Sequence, residues 1–219
     1  LRAMQKAESQ ARLGPDLQVV EGVVEHAASP ACTGRSHCTL RAGDSQFRAE
    51  AGREPGASGP LALANGMVDS LLMEAYQNAT GAPAGWGRLH DDAQWQALAR
   101  VRTAYQDILF GTPEVASDVA APLLSHIGAA FADPQTPKVS LLVGHDSNIG
   151  SVLAALGASD YALPGQREKT PIGSLLQFER WRGQSGEARY RLVYVYPTRP
   201  QLRDAVPLSD AQPPGRVEL

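Results

Sequence analysis

The residues richest in chemistry in this 219-residue sequence are five in a row, Gly144-His145-Asp146-Ser147-Asn148. A histidine that binds an anion when protonated stands beside a carboxylate able to pass a proton to a leaving group. Ser147 and Asn148 add hydrogen-bond donors. A serine-hydrolase elbow is excluded, because it needs glycine two residues before and after the serine, and His145 and Ile149 occupy those places. A plainer reading gives the segment a capping job, with Asp146 or Ser147 closing a helix start and His145 in the turn. The remaining histidines, His26, His37, His90 and His126, have no partner at a diagnostic spacing. The cysteines Cys32 and Cys38 flank a glycine-containing loop that also holds His37. They read as a local disulfide or as a metal site completed by His37. Zinc sites favour closer cysteine spacing and a second ligand pair, which ranks the disulfide first. A disulfide places the protein in an oxidising compartment, periplasmic or secreted.

These residues need elements to position them. Lys138–Gly144 reads as a buried strand, Val-Ser-Leu-Leu-Val, feeding straight into the His-Asp turn. Ile149–Leu156 follows in helical pattern with Gly157 as its stop. A strand, tight turn and helix is the basic unit of an α/β sheet, in which ligands bind beyond the carboxyl ends of strands and anions sit at helix N-termini. Upstream, Leu1–Arg12 reads as a polar helix, and the sequence opens without an initiator Met or a signal-peptide pattern, as if something upstream had been removed. Residues 41–60 read as loop. Leu61–Asn78 is a helix with Gly81 as its stop, and Asn78-Ala79-Thr80 matches a glycosylation acceptor. Ala93–Leu109 is amphipathic through Trp95, Leu98, Val101, Tyr105 and Ile108, with Asp91 or Asp92 as its cap. Thr112-Pro113-Glu114 opens another helix striped by Val115, Val119, Leu123, Ile127 and Phe131, with a kink at Pro122. Ile172–Trp181 and Arg189–Tyr196 read as an antiparallel hairpin, and the Pro-rich tail as irregular. The fold class is therefore α/β: a mainly helical domain over 1–110 and part of an α/β sandwich, with an incomplete sheet, over 111–219. Formal net charge is −3, with no basic excess to attract nucleic acid, and no uninterrupted apolar run approaches the ~20 residues of a membrane helix.

Gly144-His145-Asp146-Ser147-Asn148 resembles the His-Asp motif of the histidine acid phosphatases. The likeness extends to Gly85-Trp86-Gly87-Arg88, Thr112-Pro113-Glu114-Val115-Ala116, Leu163-Pro164-Gly165-Gln166, Phe178-Glu179-Arg180-Trp181 and Pro207-Leu208-Ser209. In that order they are similar to the bacterial periplasmic phytase and acid phosphatase branch, and Cys32 and Cys38 fall where it has a local disulfide. The resemblance implies hydrolysis of phosphomonoesters at acid pH through a phosphohistidine, without metal or cofactor. It makes His145 the phosphate-binding histidine, Asp146 the proton donor and Ser147 and Asn148 phosphate-side residues. It also puts Met67 and Glu74 on a helix similar to the family's substrate-facing one.

Two departures shape what is expected. No Arg-His-Gly, the family's nucleophile motif, occurs in these 219 residues. The chain therefore resembles the C-terminal portion of such an enzyme, inactive alone, with the nucleophile on a missing N-terminal segment. Second, Ser117, Asp118 and Val119 follow Thr-Pro-Glu-Val-Ala where phytases of this branch carry basic side chains. A polyanion gains from converging positive charge, so sugar phosphates and general phosphomonoesters stand beside phytate as substrates. The rival reading is a non-catalytic anion-binding or interaction module that kept the fold without the nucleophile.

Overall fold

The computed structural model describes residues 1–34, 38–50, 52–77, 84–158 and 160–219. His37, the Asn78-Ala79-Thr80 triplet and Gly81 lie outside them. Four helices form the first core: α1 (Arg2–Ala11), α2 (Gly14–Val24), α3 (Pro60–Gln77) and α4 (Asp92–Leu109). Met4, Leu17, Val20, Leu61, Val68, Leu98, Val101, Ile108 and Leu109 are fully buried between them. The cap of α4 is Asp91, whose carboxylate accepts the Gln94 N–H at 2.8 Å while Gln94 Oε1 returns to the Asp91 N–H. A short hairpin, β1 (Gln46–Arg48) with β2 (Gly56–Ser58), lies inside the region expected to be loop. Helix α2 has no counterpart in the sequence reading.

The second half holds α5 (Pro113–Ala132), α6 (Asp146–Ala155), β3 (Leu175–Arg182), β4 (Ala188–Tyr196), a five-residue helix α7 (Arg199–Arg203) and β5 (Gly215–Glu218). The expected hairpin is present, with Leu175 opposite Val195 and Arg182 opposite Ala188. β5 adds antiparallel to the far side of β4, giving the order β3-β4-β5. Helix α7 and β5 correct the expectation of an irregular tail. A smaller core of Leu153, Leu163, Tyr194 and Tyr196 ties α6 to this sheet.

Two further expectations are corrected. Lys138–Gly144 is not a buried strand. It forms no ladder with any described strand, and Val139, Leu141 and Val143 are 85%, 80% and 92% exposed. A strand exists through its hydrogen-bonded neighbours, and an apolar run such as this specifies a strand covered on both faces. Among the described residues no strand pairs with it. The second concerns α5, which by length and composition alone could cross a membrane, although only 11% of its most apolar window is buried. Counting uninterrupted apolar runs missed it, because Glu114, Asp118 and His126 interrupt the run. Those three residues are exposed on one side, while Val115, Val119, Leu123, Ile127 and Phe131 form a half-buried stripe on the other, and α5 packs on α6. That is the pattern of a helix lying on protein. The helix continues through Pro122.

Candidate active site

The His-Asp segment is the N-terminus of α6, with His145 as N-cap and Asp146 as the first helical residue. Asn148 folds back so that its Oδ1 accepts the His145 N–H at 2.8 Å. This return leaves no room beside Gly144, where a Cβ would meet Asn148 Oδ1 at 2.6 Å. The capping job foreseen for Asp146 or Ser147 is thus shared with Asn148. His145 is exposed and Ser147 and Asn148 are half-buried, and the Asn148 N–H donates to the His145 carbonyl at 3.0 Å.

Asp146 has both oxygens engaged. Oδ1 accepts the Ser147 N–H at 2.8 Å, while Oδ2 accepts from Arg102 Nη2 at 3.0 Å and Gln106 Nε2 at 2.8 Å. Arg102 and Gln106 are one turn apart on α4, so one helix face delivers both donors. The Arg102 guanidinium, 11% exposed, also pairs with Asp69 of α3 and with Glu168. Its Nε lies 2.9 Å from Glu168 Oε2 but off the line of the N–H, which makes that contact an ion pair rather than a hydrogen bond. Glu168 Oε1 accepts the Tyr76 O–H at 2.9 Å. One cation therefore faces three carboxylates drawn from α3, α6 and the loop before β3.

Burial dominates the chemistry of Glu168. It pushes this carboxyl above its ordinary 4.5, outweighing Arg102 and Tyr76, which pull the other way. The Tyr76 phenol is pushed up as well, first by burial and then by the neighbouring Glu168 charge. A carboxyl whose folded value lies above its unfolded one binds its proton more tightly when folded. Its contribution to stability is complete below the ordinary carboxylate range and fades as pH rises through the raised value. Glu168→Gln removes that titration, so the fall in Tm between pH 4 and pH 7 should shrink in the variant. Parallel pH–Tm curves for parent and variant would contradict this origin.

The structure brings His145, Asp146, Ser147 and Asn148 together, but neither Met67 nor Glu74 joins them. Asp69 and Tyr76 share the face of α3 turned to Arg102, and Met67 and Glu74 lie roughly 140–180° away around the helix. Met67 packs against the helical core, and Glu74 Oε2 accepts the Gly85 N–H at 3.0 Å. The sequence reading missed Arg102, Gln106, Asp69, Tyr76 and Glu168. A signal was present on α4, where Arg102 and Gln106, spaced i and i+4, sit at the edge of the Leu98–Tyr105 stripe. The expected bond between Cys32 and Cys38 is formed, with the Cα atoms 5.6 Å apart and His26 Nε2 3.6 Å from Cys32 Sγ.

This fold is that of the bacterial phytases. It superposes on the phytase of Citrobacter braakii with a TM-score of 0.82 at 28% identity, over 99% of this chain and 58% of that one. A Hafnia alvei phytase in complex with myo-inositol hexakis sulphate gives 0.77 at 27% identity, over 98% of this chain and 57% of that one. In sequence the chain is 39% identical to a glucose-1-phosphatase of Salmonella typhimurium over 222 aligned residues, all of this chain and 54% of the relative. It is 37% identical to phytase AppA of Escherichia coli over 175 residues, 74% of this chain and 39% of that protein. No protein-family model matches the chain. The chain is thus a homologue of the bacterial branch of the histidine acid phosphatases, the glucose-1-phosphatases and phytases. It spans about half the length of the curated relatives it matches.

Proposed function

We propose that these residues form the phosphate-gripping and proton-donating part of a phosphomonoesterase acting on sugar phosphates. The observation that carries the reading is Asp146, held by two α4 side chains at the mouth of α6 beside His145. In this scheme the exposed His145 and the positive end of α6, with the Asp146 N–H, hold the phosphate oxygens. A histidine from a segment outside these residues attacks phosphorus and forms the N–P bond while the ester P–O bond breaks. Asp146 gives its proton to the departing alkoxide. It then takes a proton from the water that cleaves the N–P bond, which restores both groups. The unpaired, exposed Val139–Val143 run supports such a partner segment, because it is built to be covered on both faces.

Sugar phosphates are favoured because Ser117 and Asp118 open α5 where converging positive charge would suit a polyanion. The whole-chain likeness to a glucose-1-phosphatase supports the same choice. A module that only bound anions would gain nothing from Asp146, since a carboxylate repels phosphate unless it carries a proton. The Cys32–Cys38 disulfide supports a periplasmic or secreted location.

The test is phosphate release from glucose 1-phosphate and phytate at acid pH, by the 219-residue chain and by the product of the complete gene. The expected result is turnover by the complete product, with the higher kcat/KM on the sugar phosphate, and none by the chain alone. Turnover by the chain alone that disappears in Asp146→Ala would overturn the external nucleophile.

A further inference from the structure

We propose that Arg102 and Gln106 are positioning residues that select which oxygen of Asp146 carries the proton to the leaving group. The inference rests on the proton-donor reading of Asp146 and extends it to residues that touch no substrate. A carboxylate oxygen offers two lone-pair directions. On Oδ2 both are taken, by Arg102 Nη2 at 3.0 Å and Gln106 Nε2 at 2.8 Å. Both partners are pure donors at these atoms, so Oδ2 cannot itself carry a hydrogen without facing two others. Oδ1 accepts only the Ser147 N–H among the described residues, which leaves one direction open. The proton therefore resides on Oδ1, at the mouth of α6 beside the exposed His145.

The anchor raises a difficulty that the surrounding residues resolve. An arginine against a carboxyl favours the ionised form and works against an acid. Here the Arg102 charge is shared with Asp69 and Glu168, both of which pair with the same guanidinium. The cluster holds one guanidinium against three carboxyl groups, so Arg102 is divided among them rather than directed at Asp146 alone. Tyr76 keeps Glu168 in place through its O–H, and Asn65 Nδ2 lies 3.4 Å from Asp69 Oδ2. Arg102 thus fixes the direction of Asp146 while its neighbours absorb its charge.

A misdirected acid fails first on esters whose leaving group needs a proton. An alkoxide cannot depart without one, whereas p-nitrophenolate can. The decisive experiment uses the product of the complete gene and compares kcat on a sugar 6-phosphate with kcat on p-nitrophenyl phosphate for parent, Gln106→Met, Arg102→Gln and Arg102→Lys. Losing one hydrogen bond to the acid should lower kcat on the sugar phosphate by up to about tenfold in Gln106→Met, with a far smaller fall on the nitrophenyl ester. Arg102→Gln should show the same asymmetry, and Arg102→Lys should recover part of it as a point charge without the fork. Gln106→Met keeps the volume of the side chain, so it reports on positioning even if Arg102→Gln, which strands Glu168 and Asp69, does not fold. Equal losses on both esters, or no loss on either, would overturn the positioning role while leaving the phosphatase reading intact. A parent inactive on both esters would overturn that reading, and this inference with it.

Discussion

Asp146→Asn is expected to lower kcat on a sugar phosphate by about 10²–10⁴-fold, the range a positioned general acid or base supplies. The substitution keeps the size and planarity of the side chain. It can still present a carbonyl oxygen to Arg102 Nη2 and Gln106 Nε2, so the α4 anchor survives. What it loses is the proton at the position of Oδ1, where the Asn nitrogen would instead face the Ser147 N–H, donor against donor. Because phosphate is gripped by His145 and the positive end of α6 in this scheme, KM should move much less than kcat. The defect should be small on p-nitrophenyl phosphate. The check is steady-state kinetics of the complete gene product on both esters, with Tm measured alongside. A variant that retained more than a tenth of parental kcat on the sugar phosphate would remove Asp146 from the role of acid.

The second large effect is expected at side chains that are largely exposed. Leu141→Lys and Val143→Lys should leave the stability of the 219-residue chain within about 0.5 kcal/mol of parent, as exposed substitutions do. Both side chains are more than three-quarters exposed there. In the complete gene product the same changes should abolish soluble, active enzyme. Burying one aliphatic side chain of this size stabilises by roughly 1.5–3 kcal/mol, and a lysine in its place puts an unpaired charge into an apolar layer. The contrast between the two proteins is the measurement. If the complete product tolerates both lysines with full activity, Val139–Val143 is not covered, and the partner segment proposed for it lies elsewhere. The same exposed run, with Leu175 and Trp181 on the free edge strand β3, makes the isolated chain prone to edge-to-edge association. The lysines should reduce this.

Much of the fold was legible because it is written locally. The Asp91 cap of α4 and the Thr-Pro-Glu start of α5 are set by residues within one turn of each helix end, and the 3.6-residue stripes carry the rest. The β3–β4 pair could be read from two apolar-rich runs joined by a Gly-Gln-Ser-Gly turn. Helix α7 and β5 were hidden because both are short and lie in a Pro-rich tail, and β5 is defined by its register with β4 rather than by its own pattern. Lys138–Gly144 shows the reverse case. Its strand propensity is strong, yet a strand without neighbours is only a propensity.

The site divides along the same line. The residues of the candidate site were legible in the sequence: a histidine, a carboxylate and two hydrogen-bonding residues at a helix start. Met67 and Glu74 were placed near it by likeness of a helix alone, and the rotation of α3 sets them on its other face. What only the tertiary structure decided is how Asp146 is held. Arg102 meets Asp69, Asp146 and Glu168 from three separate elements, and no local period brings distant charges to one point. The packing of α4 between α3 and α6 does so. Burial then gives the cluster its character, because Glu168 at 5% exposure binds its proton in a way that no sequence neighbour dictates.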